Sequence, residues 1–178
     1  MRRTSVQQGL GALVLAGASA VALGCGGSSS DADQFIGTWM ITQASAKVMC
    51  DDGSGGMATP SGNVVFAPGA TSAIVAVSPA ELDPSSYCDF GFDVKGTTAT
   101  IPASPAQTCT LRAFSAPPIN ASISPTTWQF ALTGPNNAEE TGSATLQLPA
   151  IDATGAPTGG TTLCQYTNHQ ATLVRRAK

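Results

Sequence analysis

From residue 35 onward, apolar and polar positions alternate with a period of two, in short runs broken every 8–15 residues by Gly, Pro, Asn or Asp. That period belongs to strands with one face turned to a core. It is clearest in Cys88, Phe90, Phe92 and Val94, with Asp89, Gly91 and Asp93 between them. Trp128, Phe130 and Leu132 repeat it, as do Leu146 and Leu148. The pattern predicts strands over 37–50, 61–66, 71–78, 86–94, 97–101, 108–114, 126–133, 142–148 and 161–174. Lys95-Gly96 reads as a two-residue hairpin turn. No window of a dozen residues past the N-terminus has a 3.6 period, and no segment repeats internally. The expected fold is therefore all-β: an antiparallel meander of eight or nine strands, a small barrel, with a sandwich as the alternative.

Composition agrees with this and narrows the partners. The 178 residues suit one domain with appendages. Only 11% are charged, so the Glu, Lys and Arg that build amphipathic helices are scarce. Acidic residues outnumber basic ones 11 to 8, and two of the eight, Arg2 and Arg3, open the chain. With no basic stripe, nucleic-acid binding by phosphate neutralisation is not expected.

The N-terminus reads as an address. Residues 1–24 combine the basic start Met1-Arg2-Arg3 with an uncharged run from Gly9 to Leu23, which is short for a membrane span. Ala22-Leu23-Gly24-Cys25 resembles the lipobox of bacterial lipoprotein precursors, and Gly26-Gly27-Ser28-Ser29-Ser30 resembles their flexible tether. Ala22 and Leu23 depart from the usual residues at their positions, and cleavage after Ala18-Ser19-Ala20 is the alternative. The resemblance implies a lipidated Cys25, a tether over 25–34 and a folded domain over 35–178. Gly26 rather than Asp after the Cys resembles outer-membrane sorting, so the expected location is the cell envelope, as an outer-membrane lipoprotein. Several acyl chains would hold it stably where one would not. The remaining cysteines, Cys50, Cys88, Cys109 and Cys164, lie 38, 21 and 55 residues apart. In an exported domain they imply two disulfides rather than a metal site.

A second resemblance begins at Phe35-Ile36-Gly37-Thr38-Trp39. The Gly-x-Trp on a first strand is similar to the opening of lipocalins and related eight-stranded barrels, which carry an Arg across that Trp near the end of the last strand. Leu173-Val174-Arg175-Arg176 is the corresponding segment, while the middle Thr-Asp-Tyr motif is absent. The chain also looks like small Cys-containing lipoproteins of myxobacteria. A closed meander pairs its first and last strands antiparallel, so the numbers of paired residues keep a constant sum. Trp39 with Arg175 and Cys50 with Cys164 both give 214. That register favours Cys50–Cys164 with Cys88–Cys109. Cys50–Cys88 with Cys109–Cys164 stays open.

Candidate chemistry is sparse. His169 is the single histidine and sits in no motif. Asp52-Gly53-Ser54-Gly55-Gly56 lacks the residue order of a protease nucleophile loop, and no Gly-x-Ser-x-Gly elbow exists. Asp89 and Asp93 alternate with aromatics and so face solvent, and Glu139-Glu140 is expected in a loop. No P-loop, dinucleotide fingerprint or EF-hand spacing is present. The expectation is a non-enzymatic envelope protein without cofactor or metal. It would bind a small apolar ligand in a lumen lined by Trp39, Phe90, Phe92, Trp128, Phe130 and Arg175, or a macromolecule at its loops. An inhibitor or immunity lipoprotein inserting loops 51–60 or 134–141 is the alternative, and a surface structural or adhesive protein is a third reading.

Overall fold

The computed structural model describes residues 30–70, 73–77, 89–113, 119–152 and 156–177. The signal segment 1–24, Cys25 and Cys88 lie outside the described residues. Ten strands follow one another: β1 Gly37–Cys50, β2 Gly55–Ala58, β3 Gly62–Pro68, β4 Ala73–Val77, β5 Asp89–Lys95, β6 Thr98–Thr100, β7 Cys109–Ala113, β8 Ile119–Gly134, β9 Asn137–Ile151 and β10 Pro157–Arg175. Neighbours pair antiparallel in the order β10-β9-β8-β6-β5-β4-β3-β1, and β10 pairs again with β1. The fold is thus all-β and antiparallel, with eight strands closed into a barrel-like ring.

The ring is taller on one side. β3 pairs with Gly37–Ile41 of β1 while β2 takes Ala46–Met49 on the same edge. In the same way β6 and β7 divide one edge of β8. The long strands β1, β8, β9 and β10 therefore rise beyond the ring as a wall flanked by β2 and β7. Between β6 and β7 a side chain stands in for a strand: Gln107 Oε1 accepts the Gly91 amide at 2.7 Å and its Nε2 donates to the Gly91 carbonyl at 2.8 Å.

The first and last strands meet in the expected register, Trp39 opposite Arg175 and Cys50 opposite Cys164. Two irregularities cancel on the way. One extra residue in β1, at Thr42, is offset by one extra residue in β10, next to Asn168. Asn168 takes φ 53°, a left-handed conformation that Asn tolerates better than most residues. Cys50 and Cys164 form a disulfide. Cys109 is disulfide-bonded as well, and its expected partner Cys88 is outside the described residues.

Several segments read as loops are strand. Of 51–60, residues 55–58 form β2; of 134–141, only Pro135 and Asn136 separate β8 from β9. Neither is the long loop that the sequence suggested. β8 and β9 also extend well beyond the expected 126–133 and 142–148. Pro125 masked the continuity of β8: it sits where the β8–β9 ladder shifts register, next to Thr126, and such an irregularity is where a strand accommodates proline. Lys95 pairs with Thr98 across a turn at Gly96 (φ 58°), so the hairpin lies one residue later than its sequence signal.

The folded part begins before Phe35. Asp31–Gln34 form a 3-10 turn rather than a free tether, and Asp31 Oδ2 accepts the Gly96 amide at 2.8 Å. Phe35, fully buried, plugs this end of the ring, and Trp39 Nε1 donates to its carbonyl at 2.7 Å. Above it Phe66 meets Phe130 edge-on at 4.8 Å, and Phe130 meets Phe92 at 5.2 Å. Such edge-to-face pairs add about 0.5–1.5 kcal/mol to the area they bury. Ile74, Ala99, Ala138 and Leu173 complete this core.

Candidate functional site

The expected lumen residues separate into two groups. Trp39, Phe92 and Phe130 belong to the packed core, with Phe90 half-buried against it. Arg175 lies over the Trp39 ring, its guanidinium carbon 4.6 Å from the centroid, and donates to the Gln34 carbonyl. Trp128 also packs against this core and belongs besides to a cluster that sequence reasoning did not assemble.

That cluster joins three adjacent strands. Trp128 on β8, Gly142 on β9 and His169 on β10 share one row of the sheet. Gly142 leaves room for the indole: a Cβ there would stand 2.6 Å from Trp128 Cδ2 and 2.9 Å from the Thr127 carbonyl oxygen. Trp128 stacks on His169 at 4.9 Å and on Tyr166 at 5.9 Å. Its Nε1 donates to Glu140 Oε1 at 2.7 Å, and His169 Nε2 lies 3.3 Å from the same oxygen. The latter is an electrostatic contact without good hydrogen-bond alignment. Tyr166 Oη and His169 Nδ1 are 3.0 Å apart.

Glu140 and His169 are 5% and 3% exposed, so Glu140 is not the loop residue the sequence suggested, and His169 faces inward. The cause is the irregularity beside Asn168. Strict alternation would put residues 166 and 168 on one face; the extra residue brings Tyr166 and His169 to that face instead. A Tyr-x-x-His spacing, out of phase for a regular strand, is the one signal the sequence offered. Glu140 carried no signal, because Glu next to a turn ordinarily faces water.

Chemically the cluster is a clamp. Burial, and then the charge of Glu140, push the Tyr166 phenol up to about 12, so the phenol stays neutral and keeps its proton for a hydrogen bond. Glu140 Oε2 has no hydrogen-bond partner among the described residues. No group of three or more His, Cys, Asp or Glu that could hold a metal occurs among the described residues.

The raised phenol has a pH consequence. The unfolded chain releases the Tyr166 proton near pH 10 and the folded chain only near 12. Stability from this group is therefore complete below pH 10 and falls as pH rises toward 12. Melting curves across pH 8–12 should show the decline. Tyr166→Phe, less stable at pH 8, should decline less, so the gap between the two proteins narrows. A gap constant with pH assigns the alkaline loss to other groups.

A concavity of about 720 Å³ crosses β8, β9 and β10 around their irregularities, takes in Trp128, Gly142 and His169, and reaches Thr100, Ile101 and Ala103. Thr126, Thr127, Gln129, Thr141 and Gln170 expose hydroxyls and amides along it. Thr126 and Thr127 each share a hydrogen bond with the Ser143 hydroxyl, at 2.8 and 2.7 Å. Its lining holds no Asp, Glu, Lys or Arg. Compared with known proteins, the chain matches no family model and no curated sequence.

Proposed function

We propose that this chain is a lipid-anchored protein of the cell envelope, held by Cys25, that binds rather than catalyses. Its ligand is a macromolecule met on the outer surface, not a small apolar molecule inside the ring. The packing of the ring carries this choice. Trp39, Phe35, Phe66 and Leu173 are at most 2% exposed, and Phe66, Phe92 and Phe130 fill the middle in mutual contact. A ligand-carrying barrel needs a cavity of hundreds of Å³ where these rings lie. The concavity over β8, β9 and β10, by contrast, has open volume and exposed hydroxyls and amides beside Trp128 and His169, with no Asp, Glu, Lys or Arg, a surface suited to a polar, uncharged polymer.

Titration with a long-chain fatty acid, followed by tryptophan fluorescence, tests the choice. Trp39 and Trp128 report on the core and on the wall. The expected result is no saturable change at micromolar ligand. Stoichiometric, saturable quenching would return the function to carriage of apolar ligands in the lumen.

A further inference from the structure

Five large hydrophobic side chains are exposed among the described residues: Met40 at 38%, Met49 at 44%, Met57 at 72%, Leu163 at 46% and Val174 at 37%. All five belong to β1, β2 and β10, the strands at the seam where the ring closes. Met40 and Val174 are direct partners near the end where the N-terminal segment enters. Met57 pairs with Lys47, two residues from Met49, and Leu163 lies two residues from Gln165, the partner of Met49. Their neighbours Trp39, Ala46, Cys164 and Leu173 are buried, so all five face outward.

Charge is distributed to match. The outer face of these three strands carries Lys47 and no carboxylate; between its apolar ends stand Thr42, Gln43, Ser45 and Thr172. Acids border this face rather than lie on it: Glu139 on β9 pairs with Thr172, Asp51 and Asp52 stand in the turn beyond β1, and Asp31 and Asp33 in the turn before it. Asp89 and Asp93 are exposed on β5, on the far side of the ring.

We infer that the outer face of β10, β1 and β2 is a membrane-contact surface on which the anchored protein lies. This rests on lipidation of Cys25. Ser30 lies five positions after Cys25, a reach of at most about 18 Å. The tether therefore holds the Met40–Val174 end close to the bilayer, and the rest of the seam follows when the barrel lies on its side. Methionine and leucine enter the apolar boundary, the hydroxyls and amides meet headgroups, and Lys47 meets lipid phosphate. The acidic β5 side faces water, away from the anionic surface.

The experiment uses the lipidated full chain in phosphatidylethanolamine–phosphatidylglycerol vesicles carrying a fluorescence quencher near the headgroups. A fluorescent amino acid replaces Gln165, on the seam, or Asp89, across the ring. Flotation reads the anchor; quenching reads the face. The expected result is flotation of both proteins, with quenching several-fold stronger at position 165. The triple change Met49→Glu, Met57→Glu, Leu163→Glu should abolish that difference while flotation persists. Flotation with equal quenching at both positions overturns the face and leaves the anchor standing. A dimer that Met57→Glu dissolves assigns the seam to a second copy and also overturns it. Failure to float removes the anchor and the inference together.

Discussion

Removing the Cys50–Cys164 bridge, as the Cys50→Ala, Cys164→Ala pair, should lower the melting temperature on the order of 10–20 °C. The bridge joins residues 114 apart in sequence. Closing a loop of that size restrains the unfolded chain by about 4–5 kcal/mol, and in a domain of this size each kcal/mol moves Tm by a few degrees. The folded state should change little, because β1 and β10 are already paired from Trp39–Arg175 to the bridge itself. The effect therefore lies mainly in the unfolded chain. Calorimetry of the oxidised protein and the double variant measures it. A shift below a few degrees would mean that the ladder alone fixes the two strand ends, with the disulfide serving only as protection against fraying.

Trp39→Ala should destabilise the fold by about 3–5 kcal/mol, the range for deleting a buried tryptophan. Several losses coincide. The fully buried indole leaves a void against Phe66, whose ring centroid lies 6.4 Å away. The Phe35 carbonyl loses its 2.7 Å donor, and Arg175 loses the ring beneath it. Trp39→Phe separates these terms. It keeps most of the apolar volume but not the N–H, so it should cost no more than about half as much. Denaturant unfolding of the three proteins gives the comparison. Equal losses for Phe and Ala would place the stabilisation in the hydrogen bond rather than in packing.

The period-two pattern, the punctuation by turns and the scarcity of helix formers were sufficient for an all-β antiparallel fold, because alternation is a local consequence of the pleat. The closing register was legible too, since Trp39, Arg175, Cys50 and Cys164 mark it at both ends. It survived two irregularities only because they fall on opposite strands and cancel. Nothing local announces such a pair.

The clamp of Trp128, Glu140, Tyr166 and His169 was decided by tertiary structure alone. Its members are far apart in sequence or out of phase, and the extra residue beside Asn168 brings His169 inward. Glu140, next to a turn, reads as solvated until Trp128 and His169 are seen to cover it. The lumen shows the same limit. Sequence placed Trp39, Phe92 and Phe130 on inward faces, as the structure does, but whether inward rings enclose a cavity or fill it depends on the ring's diameter and on contacts between distant strands. The seam is the reverse case. Met40, Met49, Met57, Leu163 and Val174 are ordinary exposed residues one at a time, and only closure of β10 onto β1 draws them into one surface.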